Sequence, residues 1–251
     1  MLNSIRKITL VGFFIFSTLS IAQEVTVIET PSGEDVELRI FPTKGNTLLL
    51  GFPCDFGKSI NEESIAQSLS EDGIEVWMPD ILSTYMLPKA RSSYAEIKNE
   101  DLSYIVQQAT KTGKDVYLIA SGPDTQLVLR AAEKWHKKHP GINNLKGLIL
   151  LFPRLNDGKP TPGVEPKYIE AVGATKTPIM VLESGRTPNR WGLEHLSEKL
   201  AAGGSQVTSK IIPGVRGYFF QRKDPNRAED IVTSQLSGLI KVSLFYLQKG
   251  N

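Results

Sequence analysis

The sequence holds a single cysteine, Cys54, so no disulfide can form within the chain and a buried core has to supply its stability. Three histidines leave little material for a metal site, and no zinc-type spacing is present. Neither sign of charge dominates. Without Arg6 and Lys7, which precede an apolar stretch at 8–19, the lysines and arginines equal the 27 acidic residues. A formally neutral chain carries no electrostatic footprint for nucleic acid. Long hydrophobic runs are missing too: the stretch at 8–19 is shorter than the roughly 20 residues that a membrane span needs. Internal repeats and low-complexity tracts are also lacking. No cofactor motif survives inspection. The segment from Gly51 to Ser59 resembles a phosphate-binding loop, but it has one residue too many between its glycines. Pro53 removes a donor there, and Asp55 would repel phosphate. Cys54 has no basic neighbour in sequence and reads as an inert thiol.

What is present fits one exported α/β domain. Residues 1–22 have a basic start, the apolar stretch and a small-residue pattern ending at Ala22, which is a signal peptide cleaved near that residue. The alternative is an uncleaved anchor. Residues 23–251, with 40% hydrophobic content in the whole chain, are ample for one domain. Alternating residues at 24–30 and 36–41 predict an antiparallel hairpin around Pro31 to Glu34. Solid apolar runs at 47–52, 74–80, 116–120, 148–153 and 178–183 predict strands buried on both faces, and 209–213 predicts a last strand. Helical spacing fills the intervals at 62–70, 94–112, 193–202 and 228–248, with another helix after Pro123. Residues 154–177, rich in glycine and proline, interrupt the rhythm as an excursion or small lid. The fold class is therefore α/β: a doubly wound, mostly parallel sheet flanked by helices, opened by an antiparallel hairpin.

The stretch from Val116 to Gln126 organises the rest. It is an apolar strand, a tight Ser121-Gly122-Pro123 turn and a helix start. With the strand at 48–52 and the segment from Leu200 to Phe220, it resembles the α/β-hydrolase superfamily, whose nucleophile sits on a sharp strand-to-helix elbow. The resemblance spans 24–248 and implies a catalytic triad, but here the triad positions are degenerate. The nucleophile position falls on Gly122, the acid near Thr187 and the base on Arg216. The residue after a hydrolase nucleophile gives an N–H to the oxyanion hole, and Pro123 has none. Such a donor is worth about 3 kcal/mol in transition-state binding.

Ser121 reads as a helix cap, forming a capping box with Asp124, or Gly122 caps with Pro123 as the first helical residue. A rival register makes Ser121 the attacker, with His195 as base and Asp157 as acid. His136 and His139, at a helix C-terminus, are expected to face solvent. Arg154, Arg186 and Arg216 each follow the C-terminal end of a strand, the edge where open α/β sheets bind ligands. They could hold an anionic group, or Arg216 could pair internally with Asp124 or Asp80. The loops at 85–88, 154–177 and 218–220 share this edge, as an exposed apolar patch or as a packed lid. The expected function is non-catalytic binding of a small molecule or protein partner at the former active-site mouth. The alternative is an ester hydrolase using Ser121.

Overall fold

The computed structural model describes residues 23–52, 60–88, 90, 92–161 and 163–249. The leader expected at 1–22, Cys54 and the rest of the loop from Pro53 to Ser59 lie outside the described residues.

Eight strands form one sheet: β1 (Glu24–Glu29), β2 (Asp35–Phe41), β3 (Thr47–Phe52), β4 (Ile74–Pro79), β5 (Asp115–Ser121), β6 (Leu145–Leu151), β7 (Ile179–Ser184) and β8 (Val207–Ile212). Their order is β1-β2-β4-β3-β5-β6-β7-β8. β2 runs antiparallel to β1 and β4, and the other pairs are parallel. This is the expected sheet, and the architecture is α/β-hydrolase-like.

The central strand shows why. Along β5, Val116, Leu118 and Ala120 enter one hydrophobic cluster, while Tyr117 and Ile119 enter another. A pleat turns successive side chains to opposite faces, so a strand covered on both sides reads as a continuous apolar run. The first face is covered by α2 (Ile81–Thr84), α3 (Ser93–Glu96), α4 (Asn99–Thr110), α5 (Thr125–Lys138), α6 (Glu170–Ala174) and α7 (Leu193–Ala202), whose apolar residues join the first cluster. The second is covered by α1 (Ile60–Glu71), α8 (Arg227–Ser234) and α9 (Leu236–Lys249). Among the described residues, no helix is long and apolar enough to cross a membrane.

Two helices expected to be continuous are broken. The 94–112 pattern divides at Ile97, which is extended at φ −72°, ψ 124° and fully buried. The 228–248 pattern divides at Gln235, with φ −107° and ψ 8°. In both, apolar spacing persists across the break because both pieces cover the same core, and so periodicity alone misses it. Within 154–177 the chain adds α6 and an isolated bridge between Asn156 and Tyr168.

Candidate functional site

At the elbow, β5 gives way to a short 3-10 turn at Gly122–Asp124 and then to α5. Gly122 has φ +57°, a left-handed conformation that suits glycine. Its neighbours demand glycine as well. A Cβ built there would lie 1.6 Å from the Tyr218 hydroxyl oxygen and 2.3 Å from Cζ. The space in which a nucleophilic side chain would begin is thus filled by a phenol. The Gly122 carbonyl accepts hydrogen bonds from the Arg154 N–H at 3.1 Å and the Thr125 hydroxyl at 2.6 Å. Pro123 occupies the first turn without an N–H to offer.

The expected Ser121 cap does not form. Ser121 makes no capping hydrogen bond, and the Asp124 carboxylate receives the Tyr94 hydroxyl at 3.0 Å. The turn is held instead through the Gly122 carbonyl. Ser121 is buried and lines a cavity on the α1/α9 face.

The loop after β8 brings Tyr218 to this point. Tyr218 is itself left-handed, at φ 56° and ψ 32°. Its ring lies 6.1 Å from that of Phe152 and 5.4 Å from the Arg154 guanidinium carbon. Phe219 and Phe220 follow it into the core against Phe152, so 218–220 packs inward. The loop at 85–88 is divided between inside and outside. Tyr85 donates to Asp101, Leu87 packs on the core, and Met86 stands exposed.

Arg216, at the expected base position, turns away. Its Nε and Nη2 donate to the Glu229 carboxylate at 2.8 and 2.6 Å, and its Nη1 reaches Asp224 at 3.2 Å. Glu229 is fully buried and also accepts the Arg216 and Asn226 N–H groups, each at 2.8 Å. The Arg216 guanidinium holds the Glu229 carboxyl down at about 2. The internal partners of Arg216 are therefore Glu229 and Asp224. Asp80 instead caps α2, accepting the Ser83 N–H. Glu229 closes the Asn226 capping box of α8, an Asn-x-x-Glu pattern readable in sequence.

At the end of β7, burial pushes the Glu183 carboxyl up, opposed by hydrogen bonds from the Ser184 N–H at 2.7 Å and the Thr187 hydroxyl at 3.2 Å, and by the charge of Arg154. Thr187 supports this carboxylate and offers none of its own. Sequence reading missed Glu183 because it ends an apolar run as any strand-edge carboxylate does. The loop at 218–220 is placed on this edge by the sequence, but no pattern tells that its Tyr218 turns in over Gly122. Arg154 and Arg186 are exposed.

None of the three histidines serves the elbow. His195 lies on α7, whose buried residues join the cluster on the far side of the sheet from the cavity that Ser121 lines. Its Nδ1 meets the Tyr168 hydroxyl and its Nε2 meets Glu165, each at 3.0 Å. Asp157 is exposed, and its N–H binds the Lys167 carbonyl. Ser121, His195 and Asp157 are thus not a triad, because the pleat turns Ser121 away from α7. His136 and His139 are half-buried and pack on Trp135, contrary to the expectation that they face solvent. His136 also bonds Thr177 at 2.8 Å, and burial lowers its pKa. Among the described residues, no cluster of histidine, cysteine and carboxylate side chains could hold a metal.

The fold and the elbow together define the class: this is an α/β-hydrolase fold. Solved structures of esterases and a lipase share it across most of the chain. Carboxyl esterase 2 of the fungus Tuber melanosporum superposes with a TM-score of 0.64 at 11% identity, covering 92% of this chain and 89% of the esterase. The Pyrobaculum calidifontis esterase gives 0.64 at 15%, covering 88% and 85%. Monoglyceride lipase of Saccharomyces cerevisiae gives 0.61 at 13%, covering 95% and 98%. At such identities the likeness is one of fold. No protein-family model matches the chain, and no curated protein matches it in sequence.

Proposed function

We propose that this chain is an exported, non-catalytic protein on the α/β-hydrolase fold, binding a small molecule or a protein partner at the sheet edge where a hydrolase keeps its active site. One observation carries the reading: the Tyr218 phenol stands where a nucleophile's Cβ would be, over a Gly122 that has no side chain. Three further facts support it. Pro123 offers no oxyanion N–H, Arg216 is bound to Glu229 and Asp224, and every histidine is engaged elsewhere. Acyl transfer needs an attacking atom, a proton acceptor and a preorganised donor, and each of these is replaced by a group that cannot serve.

An anionic ligand would rely on Arg154 and Arg186, since Arg216 already has its counter-charges. Arg154 supports this: its guanidinium lies over the Tyr218 ring beside the elbow. With the leader expected at 1–22, this binding would take place outside the compartment of synthesis. The test is turnover of p-nitrophenyl acetate by the purified mature chain. The expected result is a background rate unchanged in Ser121→Ala. A rate well above background that Ser121→Ala abolishes would contradict the reading.

A further inference from the structure

Beneath the Phe219–Gln221 turn, on the face covered by α1 and α9, lies a cavity of about 80 Å³. Its floor is Ile119 and Leu151, and its walls include Met78, Phe220, Leu236 and Ile240. It begins one residue before the elbow, at Ser121, and its rim is the half-buried pair Glu62 and Ile65. One water needs about 10–15 Å³ measured this way, so the space is several times larger than a single solvent molecule.

Its polarity is wrong for a water cluster. Bound water wants two to four polar partners, and among the described lining side chains only Ser121 and Glu62 carry polar atoms. Glu62 is placed by the Gln221 amide, which donates to it at 3.3 Å. Of the apolar side chains that α1 turns to this space, Ile65, Ala66 and Leu69, the small Ala66 leaves room that a larger residue would fill. Met78 adds a soft, adaptable wall. The C-terminal edge of a parallel sheet is also where α/β proteins admit ligands.

We propose that this cavity is a binding site for a compact, uncharged apolar group, a single aromatic ring or a short branched alkyl chain. The proposal names the ligand chemistry of the binding function inferred above and rests on that reading. The ligand's apolar part lies between α1 and α9, and its remainder points past Ser121 to the sheet edge. Phe220 is a cavity wall two residues beyond Tyr218, so occupancy is felt at the turn that seats the phenol on Gly122.

The test uses benzene as probe and benzoate as its charged counterpart, with thermal denaturation and calorimetric titration of the mature chain. Benzene is expected to raise the melting temperature saturably, and benzoate to have no effect. Ala66→Leu, which fills the space from α1, should weaken benzene binding at least tenfold while the protein stays folded. Leu236→Phe fills it from α9 and serves should the first variant fail to fold. Absence of a saturable benzene effect, equal affinity in both filled variants and wild type, or equal binding of benzoate would overturn the proposal. Ester turnover measured on the same samples separates the two claims. Turnover with benzene binding intact sinks only the non-catalytic reading, and no binding with no turnover sinks only the cavity.

Discussion

The elbow after β5 and the loop after β8 meet at Tyr218, and they hold to the hydrolase pattern in opposite ways. The elbow keeps the backbone of a nucleophile site, with a strand, a left-handed residue at φ +57° and a helix start, but that left-handed residue is a glycine with no side chain. The loop keeps polar and charged groups but commits them internally, Arg216 to Glu229 and Tyr218 to the space above Gly122. Backbone geometry at the elbow is set by the sheet and α5, which bury large apolar surfaces regardless of chemistry. What the site can do is set by a few side chains that the core does not need. On the proposed reading, fold and activity come apart here.

The largest expected effect comes from breaking the contact between the two regions. Gly122→Val places a branched side chain at positive φ and into Tyr218, and should cost about 3 kcal/mol or more in urea denaturation. In a Tyr218→Ala background the collision is gone, and the same substitution should cost only the backbone share, about 1–2 kcal/mol. Equal costs in both backgrounds would mean that the phenol does not occupy that space.

Next comes the Arg216–Glu229 pair. Arg216→Ala leaves a buried carboxylate without its cation and should lower the melting temperature far more than Arg186→Ala, which removes an exposed side chain. The Glu229 carboxyl is depressed from its ordinary 4.5 to about 2. Its contribution is fully present above pH 4.5 and is lost as pH falls through about 2. Arg216→Ala should flatten that acid limb.

Glu183 sharpens the comparison, because it is a buried carboxylate with the opposite sign. Burial raises its pKa, so its contribution is present below its ordinary value of 4.5 and is lost as pH rises through the raised value. Glu183→Gln should therefore leave stability at pH 7 within about 1 kcal/mol of wild type, or above it. A large loss at pH 7 would place a cation on Glu183 stronger than Arg154.

The smallest effect is expected at Ser121. Ser121→Ala removes one hydroxyl at the cavity edge and should change stability by about 1 kcal/mol or less, with no change in ester turnover.

The sheet was legible in the sequence because strands covered on both faces must be apolar throughout, and Thr47 to Phe52 or Ile179 to Ser184 can be little else. The missing side chain of Gly122 and the missing N–H of Pro123, on which the proposed reading rests, are legible at once because residue type alone fixes them. The surroundings of β8 were not legible in this way. Arg216 was placed near the right loop, but its partners Glu229 and Asp224 lie on the next helix and the loop leading to it. The pairing depends on how that loop turns, which Gly214 and Gly217 leave open to the fold. Tyr218 entering the nucleophile's space is likewise a product of its left-handed backbone and of packing on Phe152. The rival Ser121–His195–Asp157 grouping shows the limit of residue types without faces: the three are present, but the sheet lies between Ser121 and His195.

The central claim is that this elbow carries no group able to attack a carbonyl or phosphoryl centre. The most direct measurement is the intact mass of the chain from residue 23 onward after incubation with a fluorophosphonate, followed by peptide mapping of 115–138. The account predicts an unmodified mass at a probe concentration that labels a serine esterase to completion. A stoichiometric adduct mapped to Ser121 would contradict it.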